Sequence, residues 1–248
     1  LVAEAVQIRS AGGNGIRVEG AARLTLAGGR IGPTKKSAVY ALGKARVTVD
    51  RLRTEGTAHA AFEIAGDAEA TLRELTLLGG EGAGVFAADG ARIRLEDSEL
   101  TNFRLAAVEV AEEATAHVAR NRLHHGRASG GFVRGTSPEV RFISNEISHN
   151  RLAGVELKAG ARAQLIANDF HDGQGTAIYV HGDAAPVISQ NTIKRQKLAG
   201  VELKGSGRAV ITGNHFEGNG GSGIYAHKAG RGVLVRNTIA KHPKAGIK

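Results

Sequence analysis

Tyrosine and histidine recur as a pair in the C-terminal half of the chain, with a spacing that could support acid–base chemistry. Tyr179 and His181 are two residues apart, and Tyr225 and His227 repeat the pair. Residues two apart on a β-strand point to the same face, so each pair would present a phenol beside an imidazole. A neutral imidazole can accept a proton near neutral pH, and a tyrosine hydroxyl can donate one. Each pair is therefore a candidate for moving a proton onto and off a carbon atom.

Glutamate and lysine occupy the same two positions in the intervening repeats. The string Leu-Ala-Gly-Val-Glu-Leu-Lys ends at Lys158 and recurs ending at Lys204. If these segments are strands that stack about 4.8 Å apart, their outward residues form two columns. The first column is Glu156, Tyr179, Glu202 and Tyr225, and the second is Lys158, His181, Lys204 and His227. The equivalent second-column positions of earlier repeats are Ala65, Ala88, Ala111 and Gly135, so we expect the polar cluster only in the C-terminal half.

The two columns predict a site in which each residue has a role. Lysines on both sides of His181 would favour a neutral imidazole and would neutralise a substrate carboxylate. We expect catalytic roles, if the site is catalytic, for His181, Tyr179, Lys204 and His227. We expect substrate-binding roles for Glu156, Lys158, Glu202, Tyr225, Arg151 and Lys197. A glycosidase that uses Glu156 and Glu202 is disfavoured because Tyr179 would lie between them. An ordinary solvated ladder is the competing interpretation, since such cross-strand neighbours are favourable by themselves.

A repeat of 23 residues underlies these columns. Apolar residues recur at Ile16, Val39, Phe62, Val85, Val108, Phe132, Val155, Ile178, Val201, Ile224 and Ile247. Every step is 23 residues except the step of 24 between Val108 and Phe132. In this frame Phe132 points inward and Arg134 occupies the next inward position. Because an unpaired buried arginine is costly, we predict a bulge that turns Arg134 outward.

Within each repeat the apolar residues alternate with period two in three short runs separated by Gly, Asn and Ser. This pattern predicts three short strands per turn and excludes sustained amphipathic helices. The fold class is therefore all-β: a single-stranded right-handed parallel β-helix solenoid of about ten turns, forming one domain over residues 1–248. One asparagine per turn is expected to form a ladder at a tight corner, where Asn tolerates a left-handed backbone. The predicted Asn ladder is Asn121, Asn145, Asn168, Asn191, Asn214 and Asn237.

The whole chain resembles the right-handed parallel β-helix superfamily, the pectate-lyase-like or carbohydrate-binding-and-sugar-hydrolase repeats. The similarity is carried by Gly-Val-Glu-Leu with Ala-Asn-Asp-Phe, by Ala-Ile-Tyr-Val with Gln-Asn-Thr-Ile, and by Gly-Ile-Tyr-Ala with Arg-Asn-Thr-Ile. The resemblance implies that the Asn corner separates the second and third strands and that a cleft lies on the first strand. Superfamily members include lyases, hydrolases, epimerases, copper-insertion accessory proteins and non-catalytic binders, so the fold does not select a function.

The composition of the chain limits the classes of partner that it could bind. The net charge is +9, and there is no cysteine, which excludes disulfides, cysteine-ligated metals and thiol catalysis. Positive charge in the loops before the first strands favours an acidic polysaccharide. Nucleic acid is disfavoured because the chain has few aromatic residues for stacking. The basic loop residues are His124, His125, Arg127, Arg151, His171, Lys194, Arg195, Lys197, Lys241, His242 and Lys244.

No metal and no cofactor are predicted. His124 and His125 would face opposite ways on a strand, and the Gly-rich segment 79–84 lacks the aspartate of calcium-binding nonapeptides. The Asp-Pro-His motif of alginate epimerases is missing, and the most similar segment is Ser137-Pro-Glu139. Segment 218–223 matches a dinucleotide-binding string but leads into a strand instead of a helix. These absences leave the enzymatic activity undecided.

The residues favour binding of an anionic polysaccharide along the first-strand face of the C-terminal half. Two alternatives remain open: a polysaccharide lyase or C5-epimerase acting on uronate polymers, and a non-catalytic protein-interaction scaffold. No apolar stretch approaches the roughly 20 residues of a membrane span, and we expect an extracellular or periplasmic protein. The sequence stops at the start of a new turn. Either the parent protein is longer or the open ends support end-to-end or side-by-side self-association.

Overall fold

The computed structural model describes residues 1–248 and consists of 29 β-strands connected by tight turns. Ten strands, one from each turn, form the first sheet. They are β2 (Ile16–Gly20), β4 (Val39–Gly43), β6 (Phe62–Ala65), β9 (Val85–Ala87), β12 (Val108–Ala111), β15 (Gly131–Arg134), β18 (Val155–Lys158), β21 (Ile178–Val180), β24 (Val201–Lys204) and β27 (Ile224–His227). The structure contains no helix that could cross a membrane.

The second sheet contains the other 19 strands, which are the second and third strands of successive turns. They are β1 (Val2–Ile8), β3 (Arg23–Ile31), β5 (Arg46–Thr57), β7 (Glu69–Arg73), β8 (Thr76–Gly80), β10 (Arg92–Glu96), β11 (Glu99–Phe103), β13 (Thr115–Ala119), β14 (Arg122–His124), β16 (Val140–Ile143), β17 (Glu146–Ser148), β19 (Ala163–Ile166), β20 (Asp169–His171), β22 (Val187–Ser189), β23 (Thr192–Lys194), β25 (Arg208–Thr212), β26 (His215–Glu217), β28 (Arg231–Val235) and β29 (Thr238–Ala240). β5 bends through the corner and pairs with both β7 and β8, which joins the two sets into one sheet.

Neighbouring strands are parallel, and each residue pairs with its equivalent in the next turn. Ile16 pairs with Val39, and Val201 pairs with Ile224. The inward residues of all three strands form one core of 55 buried residues that runs along the solenoid. The prediction of a parallel β-helix of about ten turns is confirmed. The cause is the alternation itself, because a period of two places every second residue inside the turn.

The predicted register is wrong at one turn. Gly131, not Phe132, pairs with Val108 and Val155, while Phe132 pairs with Glu109 and Glu156 on the outer face. The pairing of β15 is continuous, so there is no bulge. Arg134 points outward because it follows the inward-facing Val133, which is fully buried. The extra residue lies in the following turn, between β15 and β16, since Ala116 pairs with Val140. The apolar pattern predicted the wrong register at this turn because Gly131 has no side chain to mark the inward position.

Replacing Gly131 with alanine should destabilise the protein, because the ring of Phe142 fills the space next to it. A Cβ at this position would lie 2.9 Å from that ring and 3.2 Å from Val155. Overpacking of this kind costs about 1–3 kcal/mol. Phe132→Ala, on the outer face of the same strand, is the matched control and should cost less. Urea denaturation measures both; an equal or larger loss for Phe132→Ala would contradict the register.

The structure contains a hydrogen-bonded asparagine ladder between the second and third strands. The Oδ1 atom of Asn168 accepts the backbone N–H and the Nδ2–H of Asn145, both at 2.9 Å. The Nδ2 atom of Asn168 donates to the carbonyl of Phe142 at 2.9 Å. Asn145, Asn191 and Asn214 repeat these contacts. Asn121 begins the row, where its Oδ1 accepts the backbone N–H of Ser98, and Asn237 ends it.

The expectation that asparagine itself takes the left-handed corner conformation is wrong. The residue before each ladder asparagine has a positive φ instead, for example 54° at Ser144 and 54° at Ala167. The asparagines are selected by their side-chain hydrogen bonds. An amide both donates and accepts, so identical side chains can link successive turns indefinitely.

The outer face of the second sheet carries a histidine between two arginines. His117 pairs with Arg94 on β10 and with Arg141 on β16. Partial burial and then the positive charge of Arg94 lower the pKa of His117, although Glu96 acts in the opposite direction. The folded protein therefore disfavours the charged imidazole at this position.

Unfolding should become easier between about pH 7 and pH 5, because His117 binds a proton more readily in the unfolded chain. The stability contributed by its neutral form is present above the ordinary pKa of histidine and is lost as the pH falls below it. His117→Gln should flatten this part of the pH profile of the denaturation midpoint. An unchanged slope would show that His117 does not cause it.

Candidate functional site

The predicted site residues lie together on the outer face of the first sheet. Glu156 pairs with Tyr179, Tyr179 with Glu202, and Glu202 with Tyr225. Lys204 pairs with His227 in the second column. All eight side chains of the two columns are partly exposed, whereas Leu157, Val180 and Leu203 between them are buried and Ala226 is partly buried. Tyr179 therefore separates the two glutamates, as the sequence predicted.

Each histidine of the site contacts a glutamate of the preceding turn. The Nε2 atom of His181 lies 3.0 Å from Oε1 of Glu156, and its ring stacks on Tyr179 with centroids 4.5 Å apart. His227 repeats both distances with Glu202 and Tyr225. The charged group in contact with His181 is thus a carboxylate, whereas the sequence pattern suggested flanking lysines. With Nε2 directed at Glu156, Nδ1 is the nitrogen left to exchange a proton with a ligand.

The lysines of the site lie over aromatic rings. The Nζ atom of Lys158 is 5.0 Å from the ring centroid of Phe132, and that of Lys204 is 5.9 Å from the centroid of Tyr179. Neither lysine has a carboxylate within salt-bridge distance. The hydroxyl of Tyr179 raises the pKa of Lys204. Lys204 therefore keeps its positive charge, so it is suited to bind an anionic group and not to act as a base.

Glutamate and aromatic residues alternate along most of the first sheet, beyond the C-terminal half. The first residue of this column is Arg17. From the next turn onward, aromatic residues and glutamates alternate strictly in the order Tyr40, Glu63, Phe86, Glu109, Phe132, Glu156, Tyr179, Glu202 and Tyr225. The second column is apolar from Leu42 to Ala111 and becomes basic from Arg134 onward. The expectation that the site is confined to the C-terminal half is thus wrong for the first column, although the cationic part does begin there.

Exposed leucines form the apolar border of a groove beside the first column. Leu105, Leu152 and Leu198 are each about half exposed, at 48%, 53% and 52%. Leu105 and Leu152 line one cavity of about 330 Å³ with Phe132 and Glu156. Leu198 lines another of about 290 Å³ with Glu202, Tyr225, Lys244 and Lys248. The groove therefore combines apolar surface with carboxylates and ammonium groups, a combination suited to a ligand with flat carbon faces and charged substituents.

Hydroxyl groups at the edge of the groove hold two of the glutamates. Thr176 donates to Glu202 at 3.3 Å, and Ser129 donates to Glu156 at 3.5 Å. Each carboxylate is thereby fixed between a hydroxyl and a histidine.

The basic loops are less available than the sequence suggested. Lys194, Arg195 and Lys241 form salt bridges with Asp169, Asp172 and Glu217, which neutralise much of their charge. Arg151 and Lys197 lie in the turns that precede β18 and β24, immediately before Leu152 and Leu198. Both are exposed, without a salt bridge, at the border of the groove and not within it.

Four histidines from neighbouring turns meet outside the groove. The rings of His124 and His125 touch, with Nδ1 atoms 2.7 Å apart, and His149 stacks on His125. The ring of His171 lies edge-on to His149, with centroids 6.1 Å apart. The prediction that His124 and His125 face opposite ways is wrong because β14 ends at His124 and His125 has a φ of 56°. No three His, Asp or Glu side chains are arranged to hold a metal ion.

Comparison with known families defines the class of this protein. A family model described as a right-handed β-helix region matches residues 60–163 and 153–248. The chain therefore belongs to the right-handed β-helix family. A comparison with the sequences of characterised proteins finds no significant match.

Several solved structures share the fold. A mutant of the periplasmic alginate epimerase AlgG is 12% identical over 90% of this chain and 74% of its own, with a TM-score of 0.63. The A-module of the Azotobacter vinelandii mannuronan C-5 epimerase AlgE6 is 16% identical over 90% of this chain and 68% of its own, with a TM-score of 0.57. The A-module of AlgE4 from the same organism is 14% identical over 92% and 89%, with a TM-score of 0.53. At these identities the similarity shows a common fold.

Proposed function

We propose that this protein binds an anionic polysaccharide in the groove of the first sheet, between β15 and β27. The observation that carries the proposal is the placement of Lys158 and Lys204, each without a carboxylate partner and each over an aromatic ring. A uronic acid offers a carboxylate to the ammonium group and a face of C–H bonds to the ring. The carboxylates of Glu156 and Glu202 each accept hydrogen bonds from a histidine and a hydroxyl group, so part of their hydrogen-bonding capacity is already used within the protein.

Two further observations support a polysaccharide. Two cavities follow one another along the first column, one at Leu152 and Glu156 and the other at Leu198 and Glu202, as contacts with a polymer require. The structural neighbours named above act on alginate or mannuronan, according to their descriptions. We also propose an exported protein, since one of these neighbours is periplasmic and the proposed polymer occurs outside the cytoplasm.

A second candidate function is a lyase or C5-epimerase for uronate polymers. The stacked pair of Tyr179 and His181 favours it, because a base and an acid lie side by side. Nδ1 of His181 would remove the proton from C5 next to the carboxylate, whose developing charge Lys204 would stabilise. In elimination the bond from C4 to the bridging oxygen breaks and Tyr179 protonates that oxygen. In epimerisation water on the opposite face of the sugar donates a proton to C5, because Tyr179 lies on the same side as His181, and His181 then releases the abstracted proton to solvent.

Calorimetric titration with polymannuronate, polygalacturonate and uncharged mannan tests the binding proposal. We expect at least one acidic polymer to bind at low ionic strength, to bind more weakly in salt, and mannan not to bind. No binding of either acidic polymer would refute the proposal. Ultraviolet absorbance of unsaturated uronates and proton NMR of the sugar signals then decide between functions. Binding without either change supports a binding protein, an absorbance increase a lyase, and a changed C5 configuration an epimerase.

A further inference from the structure

The cationic part of the groove repeats one constellation of four residues three times. Each constellation begins with a glutamate. One turn later come an aromatic residue and a basic side chain that contacts the glutamate, and two turns later comes a lysine that lies over the aromatic ring. We call these constellations modules 1, 2 and 3. Module 1 is Glu109, Phe132, Arg134 and Lys158; module 2 is Glu156, Tyr179, His181 and Lys204; module 3 is Glu202, Tyr225, His227 and Lys248.

The internal geometry is similar in all three modules. The distance from the glutamate oxygen to the nitrogen of the basic side chain is 3.4 Å in module 1 and 3.0 Å in modules 2 and 3. The distance from the lysine nitrogen to the aromatic centroid is 5.0, 5.9 and 5.4 Å in the same order. The modules are therefore copies of one arrangement on successive pairs of turns.

The modules lie on a straight line along the solenoid axis. Glu109, Phe132, Glu156 and Tyr179 pair directly from strand to strand, without a shift of register. Because neighbouring strands are roughly 4.7–4.9 Å apart, equivalent atoms of successive modules are separated by roughly 9–10 Å. A ligand that uses all three modules must present the same groups at that interval.

We infer that the groove binds a linear acidic polysaccharide parallel to the solenoid axis, with one extended disaccharide repeat on each module. The inference rests on the proposed function and adds the direction and length of the bound chain. An extended disaccharide spans two strand spacings, so every second sugar presents the same face and carboxylate to an aromatic ring and a lysine. Because only every second sugar makes these contacts, five sugars reach all three modules.

The modules also differ in what they can do chemically. Module 1 has Phe132 and Arg134 where the others have tyrosine and histidine, so it has no hydroxyl to donate and no neutral base. It can bind a repeat but cannot exchange protons with it. Modules 2 and 3 carry the same four residue types, and we assign them equal contributions to binding.

The test is calorimetric affinity for uronate oligomers of two to eight sugars. Each module that a longer oligomer reaches acts intramolecularly, so affinity should rise in steps at three and five sugars and then level off. Oligomers of four and six sugars should bind no better than those of three and five. A rise at every added sugar, or a plateau at two sugars, would overturn the inference while leaving binding of an acidic polymer intact. Absence of binding at every length would instead refute the proposed function.

Variants of single modules sharpen the result. Tyr225→Ala removes an end module, so the plateau should move from five to three sugars. Tyr179→Ala removes the middle module, so the affinity for five sugars should fall roughly tenfold while the plateau stays at five. Lys204→Met tests module 2 again by changing its lysine instead of its aromatic ring. All three residues are on the outer face, and a matching circular dichroism melt confirms folding. A plateau that remains at five sugars in Tyr225→Ala would overturn the assignment of module 3.

Discussion

Replacing Asn168 with alanine should destabilise the solenoid by about 3–6 kcal/mol, because several buried hydrogen-bonding groups lose their partners together. The backbone N–H and the amide of Asn145 lose an acceptor, and the carbonyl of Phe142 loses a donor. Asn168 is 1% exposed, so water cannot replace these bonds without opening the core. Urea denaturation monitored by circular dichroism measures the change.

Asn237→Ala is the matched control for the asparagine ladder. Asn237 accepts the same two bonds from Asn214, but it lies in the last turn and is partly exposed. Water can therefore take over its role, and the loss should be clearly smaller. Equal losses below about 1 kcal/mol for both variants would show that the ladder contributes little to stability.

Replacing Lys158 and Lys204 together with methionine should weaken the binding of an acidic polysaccharide about a hundredfold or more at low salt. Each lysine supplies a charge-assisted contact, and such contacts contribute about 1.5–3 kcal/mol each. The residual affinity should depend less on salt, because fewer charges are involved. Methionine retains the apolar stem that lies over the aromatic rings, so the comparison isolates the charge.

The control removes two charges from another face. Arg208 and Arg231 are exposed residues on the outer face of β25 and β28, without salt bridges. Arg208→Met with Arg231→Met alters the net charge as much as the lysine variant does. We expect less than about a twofold change in affinity, since long-range effects of surface charges are screened. Equal losses in both double variants would indicate attraction by net charge alone, without a groove.

The sequence predicted the architecture because the alternation of apolar residues recurs every 23 residues. It failed at Gly131, where the inward position has no side chain and the apolar Phe132 beside it faces solvent. A constant spacing of 23 residues up to Gly131 would have placed Phe132 on the outer face. Tyr40, Glu63 and Phe86 precede the insertion, so their alternation was already present in the predicted register. The expectation of a C-terminal cluster rested on the second-column positions Ala65, Ala88 and Ala111, which do not carry that signal.

Contacts within the site were less predictable than the columns. The sequence predicted that Tyr179 and His181 share a face, but not that His181 contacts Glu156 of the preceding turn. Side-chain rotamers decide that contact, and sequence spacing does not specify them. The meeting of His124 and His125 depends on a left-handed residue outside a strand, which alternation cannot describe. The border formed by Leu152 and Leu198 could not be predicted from the alternation of apolar residues, because these leucines lie in turns and not in strands.

A crystal structure of the protein with a hexauronate bound tests the central claim most directly. If the proposed binding mode is correct, the sugar rings lie in a row along the first sheet from β15 to β27, parallel to the solenoid axis. Ring faces should lie on Phe132, Tyr179 and Tyr225, with sugar carboxylates at Lys158 and Lys204. A ligand bound to the second sheet, or lying across the first sheet without touching Tyr179, would contradict the account.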